Sequence, residues 1–333
     1  DCLSELQTAW ATDLMMGNFF RVTCPFLFTL DTVAFFPIIR GKHSFYAVKK
    51  ILNTTQLFLD VYSDRKNIYV RPAKVWNRDS ETMFLPHIYN REAGTFKPIL
   101  DGVQSSRFYQ VLGKFQRPGE EQFTDSWNRF FNTAKMLYDN HMNTDDACNT
   151  MCDIMMTRDE KMRRMVKKHF TPEDYFRVRN HMIGTGMIGG KACGMLLSRA
   201  IVRNLAPDIE EVLEPHDSFF IGSDVYYTYI VDNGFWDIRI RQREEEEYFS
   251  LAEEFAQRLK DGVFSEEMKN QFLHILEYYG QDPFIVRSSS ILEDGFGNAF
   301  AGKYESVFCA NRGTLEERLL EFENAIKTVY ASS

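Results

Sequence analysis

The chain has 333 residues, 44% of them hydrophobic and 26% charged, with a formal net charge of -8. That length allows two or three domains, and 29 Phe with 15 Tyr argue for aromatic-rich cores and against disorder. The acidic balance argues against a general nucleic-acid or anionic-membrane surface, the lack of an eighteen-residue apolar run argues against a membrane span, and six scattered Cys fit reduced thiols in a cytoplasm.

The opening residues Asp1, Cys2, Leu3, Ser4 and Glu5 have neither the basic start nor the apolar run of a signal peptide. The absence of an initiator Met leads us to expect a trimmed, longer chain. Leu3, Leu6, Trp10, Leu14 and Met15 recur near helical spacing, which predicts a helix over 1–20. Residues 57–62 and 67–70 read as two strands around a turn at 63–66. Residues 76–122 are rich in turn formers and have weak periodicity. From Asp125 to about His181 the pattern is helical, with Trp127, Phe130, Phe131, Ala134 and Leu137 on one stripe. Thr171 followed by Pro172, Glu173 and Asp174 reads as a helix start with Thr as N-cap.

A change comes at residues 183–191, where Gly184, Gly186, Gly189 and Gly190 lead to Lys191. The pattern predicts a loop and then a helix to about Asn204. Further along it predicts a short buried strand at 218–222, helices at 244–260 and 265–279, another buried strand at 283–287, a third strand at 304–308, and a last helix at 314–329. A boundary is expected near 170–182. It divides the chain into a mixed α/β N-terminal domain of unknown role over 1–180 and a second domain over 181–333.

Glycine-rich loops before helices suit phosphates, because backbone N–H groups can approach an anion and the helix adds its positive end. A Lys at the loop exit supplies a mobile charge. The P-loop pattern fails, since Thr185 replaces its first Gly and Ala192 its metal-binding hydroxyl. The dinucleotide pattern matches at Gly184, Gly186 and Gly189, but the charged, helical residues 175–181 stand where a strand should. A connector between two helical segments is the plainer alternative. The second motif is Arg287, at the end of an apolar strand and followed by Ser288, Ser289 and Ser290. An Arg pinned by a sheet presents its planar fork to phosphate oxygens with little further ordering. The plainer alternative is an ion pair of Arg287 with Glu293 or Asp294.

Taken together, Ile188 to Ala192, Asp217 to Gly222, Ile285 to Asp294 and Ala299 to Tyr304 closely resemble the ATP-binding domain of the phosphoenolpyruvate synthase and pyruvate phosphate dikinase family. The resemblance covers 183–333. It implies an α+β class for the chain, with the first half of an ATP-grasp-like nucleotide-binding domain preceded by a mixed α/β domain. It further implies that Lys191 and Arg287 contact ATP phosphates, with Gly189, Gly190, Ser288, Ser289, Glu293, Asp294, Ala301 and Gly302 over the nucleotide. Family members pass a phosphoryl group from ATP to a His on a swivelling domain, and then to pyruvate or a related acceptor. The expected cofactors are therefore ATP and Mg²⁺, with the metal ligands expected beyond Ser333. No catalytic residue is expected within 1–333, because none of the seven His has the Thr-x-Gly-Gly context that the family's phosphorylated His requires. Ala299 stands where relatives often carry a hydroxyl residue.

The expected whole is an ATP-dependent kinase or phosphotransferase, cut short here at its C-terminal side and inactive as it stands. No nucleic acid or membrane partner is expected, and a homodimer is allowed. The rival reading is a nucleotide-sensing or interaction module that kept the fold and lost catalysis. Three other features were weighed. Cys148 and Cys152 share a helix face near His141, without a second ligand pair for a metal. Glu244 to Glu247 read as the acidic start of a helix, and Tyr226 to Tyr229 as core.

Overall fold

The computed structural model describes residues 2–5, 12–64, 67–115, 124–214, 217–244, 246–290, 294–295, 298–299, 302 and 304–332. It divides into two compact units, Asp1–Arg129 and Phe130–Ser333. Helix accounts for 55% of the residues and the sheets are small, so the class is mixed α+β. None of the described helices is long and apolar enough to cross a membrane.

The first unit holds helices α1 (Asp13–Phe28) and α2 (Phe45–Thr54), strands β1 (Leu57–Ser63), β2 (Ile68–Val75), β3 (His87–Asn90) and β4 (Thr95–Pro98), and helix α3 (Gly102–Phe115). The sheet is antiparallel in the order β1-β2-β3-β4. Pro72 lies in β2 opposite Leu59, beside a register shift between Phe58 and Leu59. Proline cannot donate to a ladder, so an irregularity there is where β2 can hold it. Tyr62 and Tyr69 on one sheet face pack with Phe108, Val111 and Leu112 of α3.

Two expectations change in this unit. Of the helix expected over 1–20, residues 3–5 are helical, 6–11 lie outside the described residues, and α1 covers 13–28, running past the expected end, with Thr12 as its cap accepting the Met15 N–H at 3.1 Å. Residues 76–122, read as weakly patterned, contain β3, β4 and α3. The β3–β4 turn is closed by Asn90, whose side chain accepts the N–H groups of Glu92 and Ala93, and α3 is started by Asp101 accepting from Gln104. Both are local side-chain devices that periodicity does not register.

A buried network ties the start of this unit together. Ser4 Oγ lies 2.6 Å from His43 Nε2, and His43 Nδ1 lies 3.0 Å from Asp13 Oδ1. The Ser44 N–H donates to Asp13 Oδ2 at 2.5 Å. Hydroxyl, imidazole and carboxylate stand in the order of a nucleophilic triad. Ser4, His43 and Asp13 are only 4%, 6% and 3% exposed, however, and Ser4 Oγ already accepts the Ile39 N–H at 2.7 Å. The arrangement is a clasp rather than an active site, because no substrate atom can reach the hydroxyl.

The second unit runs from α4 (Ser126–Asp139), whose first turn belongs to the first unit, through α5 (Asp145–Met151), a π turn (Cys152–Met156), α6 (Glu160–His169) and α7 (Pro172–Asn180). Strand β5 (Met182–Ile183) and helix α8 (Gly190–Leu205) follow, then the single turn α9 (Pro207–Glu210) and strand β6 (Phe220–Ile221). Next come α10 (Ser223–Asp232), α11 (Trp236–Arg241), α12 (Ala252–Asp261), α13 (Glu266–Tyr279) and β7 (Phe284–Arg287). The last elements are β8 (Asp294–Gly295), β9 (Asn298–Ala299), β10 (Ser306–Cys309) and α14 (Leu315–Ala331). Strands β5 and β6 pair parallel, while β7 and β10 pair antiparallel. Their common core includes Ile183, Val225, Tyr229, Phe272, Leu276 and Phe322. Burying each such side chain contributes roughly 1.5–3 kcal/mol.

The compact unit begins at Phe130, and the boundary expected near 170–182 falls inside it; α6 packs with the helix that leaves the glycine loop, and the π turn packs with α5 and α6. Thr171 caps α7 in a reciprocal box with Asp174, as its sequence predicts. The helix expected from 244 starts only at Ala252. Arg241 donates to Glu247 through Nε at 3.0 Å and through a second nitrogen at 2.7 Å, and this fork holds the glutamate-rich stretch in turns. Tyr229 is buried and Tyr226 packs edge-on against Tyr330, so these aromatics belong to the core.

The clasp in the first unit sets a testable pH dependence. Burial pushes the Asp13 carboxyl up, but the hydrogen bonds from His43 and Ser44 outweigh it and hold the carboxyl below its usual range. Its contribution is present above the ordinary carboxylate pKa and is lost as pH falls through the lowered one. Asp13→Ala, which strands the His43 and Ser44 donors, should cost roughly 3 kcal/mol in denaturant unfolding at neutral pH. Asp13→Asn should flatten the acid limb of stability against pH.

Candidate functional site

The glycine loop connects β5 to α8, and Gly222 connects β6 to α10. Because β5 and β6 are parallel, both connections leave from the same end of the strand pair. That end is where open α/β sheets bind ligands. Gly184, Gly186 and Gly189 have φ of 72°, 99° and 84°, the left-handed region that only glycine enters freely. A Cβ on Gly184 would overlap Asp224 Oδ1, and one on Gly222 would overlap the Thr185 carbonyl oxygen.

Asp224 organises the entry to the loop. It is 3% exposed and accepts three hydrogen bonds: from Thr185 N at 2.9 Å, from Thr185 Oγ1 at 2.6 Å and from Val225 N at 2.9 Å. Burial pushes its carboxyl above the usual range, against the pull of these donors. Sequence reasoning did not single out Asp224 or Thr185. The signal available was a Gly-Ser-Asp run between a short strand and a helix. The two-residue strand before the loop was also missed, which reopens the dinucleotide pattern. That pattern needs an acidic side chain free to take a ribose hydroxyl, and the Asp224 carboxylate is spent on Thr185 and Val225. Further along, the Ile188 N–H donates to Met155 O of the π turn at 3.0 Å.

The loop exit meets the second motif. The Ala192 N–H donates to Ser289 Oγ at 3.0 Å, across 97 residues of sequence. A Cβ on Gly189 would overlap the Ser289 carbonyl oxygen and stand 2.7 Å from Ser289 Oγ. The first turn of α8 thus rests directly on the segment that leaves β7. Gly190 opens α8, half-buried Lys191 is its second residue, and Arg287 ends β7 two residues before Ser289. The structure therefore brings the two motifs together. A connector between helices does not describe the glycine loop.

Arg287 pairs across the sheet with Ser306 and is exposed. Among the residues whose side chains are described, its guanidinium has no hydrogen-bond or ion-pair partner; the alternative pairing with Glu293 or Asp294 falls on side chains outside that set. Strand β7 was expected to be buried. Instead Phe284 and Val286 pack on the core, while Ile285 is 40% exposed and its cross-strand partner Phe308 82% exposed. Helix α14 contacts both strands, and a two-stranded sheet packed on one face alternates rather than burying every residue.

The remaining predicted residues divide as follows. Ser288 and Ser289 are half-buried in the segment after β7, and Ser290 Oγ accepts from the Tyr304 hydroxyl at 3.3 Å. Asp294 opens β8, opposite Ala299 of β9, and Cα atoms of β8 approach α8 within 8 Å. Gly302 is exposed with φ of 80°. Glu293 and Ala301 lie outside the described residues. Among the described residues no group of three His, Cys, Asp or Glu is gathered to hold a metal ion. A separate cleft is lined by Asp174, Arg177, Leu196, Arg199, Arg203 and Phe220 among others, and by none of the predicted ATP-contact residues. Arg203 donates twice to Asp174 there, at 2.7 and 2.6 Å, and Arg199 donates to Glu214 O, so two of its arginines are already engaged.

Residues 185–333 match a family described as pyruvate phosphate dikinase, AMP/ATP-binding domain. The match begins inside the glycine loop and includes every predicted site residue. Comparisons with curated proteins and with solved structures gave no match.

The close approach at Gly189 and the buried Asp224 each generate a prediction. Gly189→Ala should cost roughly 2 kcal/mol or more in thermal or denaturant unfolding, from the left-handed φ alone and before the overlap is counted. Gly194→Ala, in the same helix with open space around it, should instead stabilise by roughly 0.5–1 kcal/mol. Asp224 binds its proton more tightly folded than unfolded, so its contribution to stability falls as pH rises from the ordinary carboxylate value through the raised one. Asp224→Asn, which can still accept from both N–H groups, should remove that decline, whereas Asp224→Ala should destabilise at every pH.

Proposed function

We propose that the second unit binds the phosphates of ATP on behalf of a dikinase-type phosphotransferase, with Lys191 and Arg287 as the two cations. The observation that carries this reading is the junction of Gly189 and Ala192 with Ser289, together with the match of the same residues to an AMP/ATP-binding domain. The junction sets a cation on the first turn of α8 and another at the end of β7, on either side of one short contact. Helix α8 adds backbone N–H groups and its positive end. An exposed Arg at a strand end can turn its planar fork to phosphate oxygens.

Phosphoryl transfer is mostly a matter of positioning and charge neutralisation, and these residues would supply the nucleotide end of it. The γ-phosphoryl group would pass to a His on a separate swivelling domain, and then to pyruvate or a related acceptor. Magnesium would arrive with the nucleotide and help to neutralise the phosphates. Ser288, Gly190, Glu293, Asp294, Ala301 and Gly302 would complete the cover over the nucleotide.

Calorimetric titration of the full-length protein with ATP-Mg²⁺ tests the assignment. Lys191→Ala and Arg287→Ala should each weaken binding by about 10–100-fold, the scale of a lost charge-assisted hydrogen bond, with circular dichroism unchanged. Wild-type affinity in both variants would defeat it.

A further inference from the structure

We propose that Ser289 is a positioning residue whose hydroxyl caps α8 from a distant segment and so makes Lys191 and Arg287 act as a single binding unit. The proposal rests on the nucleotide-binding reading above and gives Ser289 a task distinct from touching ATP.

The first four N–H groups of a helix have no carbonyl partner within it, and a Ser, Thr, Asp or Asn at the N-cap normally accepts one of them. The residue at that position in α8 is Gly189, which has no side chain to accept anything, and no side chain at the cap does so. Ser289 Oγ accepts the Ala192 N–H instead, at 3.0 Å. Ala192 is the third helical residue, which is the one a normal N-cap hydroxyl reaches. The glycine is what admits this remote cap, because any Cβ at 189 would overlap the Ser289 carbonyl oxygen.

The consequence is a coupling. Lys191 adjoins the capped residue, and Arg287 lies two residues before the capping one. Releasing the Ser289 hydroxyl frees the first turn of α8 from the segment after β7, so the two cations no longer hold a fixed separation. A triphosphate gripped by both would then have to order them itself, at a cost in affinity. The neighbouring hydroxyl on Ser290 accepts from Tyr304 instead.

The test combines ATP-Mg²⁺ titration with amide hydrogen exchange at Ala192 in the absence of nucleotide, on wild type, Ser289→Ala, Ser289→Thr, Lys191→Ala and the Ser289→Ala, Lys191→Ala double variant. Ser289→Ala should weaken ATP about tenfold and speed Ala192 exchange about tenfold. Ser289→Thr, which keeps the hydroxyl, should restore both to within about threefold. The loss caused by Lys191→Ala should shrink in the Ser289→Ala background, because coupled residues are not additive. Unchanged Ala192 exchange in Ser289→Ala overturns the cap. Additive losses overturn the coupling. A full-length wild-type protein that binds no ATP overturns the nucleotide reading itself and leaves the exchange result to decide the cap, so the two failures are distinguishable.

Discussion

A hydrogen bond of 3.0 Å between the Ala192 N–H and the Ser289 hydroxyl, spanning 97 residues, holds the candidate site together. It exists because position 189 carries no side chain. Two backbones meet there at a distance that any other residue would prevent, and the helix that starts at Gly190 takes its cap from the other segment. The proposed phosphate recognition depends on that contact, because Lys191 and Arg287 sit on different elements.

The opposite end of the glycine loop is fixed by a different kind of force. Asp224 is a buried carboxylate, and burial alone would expel it. Three donors from Thr185 and Val225 compensate by filling its oxygens. Glycine at 184 and 222 is again what lets the backbone come close enough. The loop is therefore pinned at its entry by a carboxylate, supported in the middle by the π turn through Met155, and capped at its exit by a serine. A loop so held is preorganised, and preorganisation is what lets backbone amides and a nearby cation bind an anion without a large ordering cost.

The clasp of Ser4, His43 and Asp13 offers a contrast within the same chain. Its three side chains have catalytic order and catalytic distances, but burial and the Ile39 N–H remove the hydroxyl from any chemistry. Arg287 is the reverse case: exposed, at a strand end, beside a glycine-pinned helix. Accessibility separates the structural group from the candidate ligand here, and geometry alone would have ranked them the other way.

What the amino-acid order determined by itself was local. It set the strands at 57–62 and 67–70, the Thr171 cap, the helices from 192 to about 204 and over 265–279, and the two phosphate-type motifs with their family resemblance. Each of these is written in the spacing of neighbours, through period, cap or glycine content. What tertiary structure decided was everything set by partners far along the chain. The glutamate-rich stretch stays in turns because Arg241 grips Glu247, and β7 is buried on one face because its sheet has two strands with a helix on one side. Asp224 matters because a loop thirty-nine residues earlier folds onto it, and Ser289 because a glycine 100 residues earlier leaves it room. A side chain's task at such places depends on which distant backbone arrives beside it, and no window of sequence contains that information.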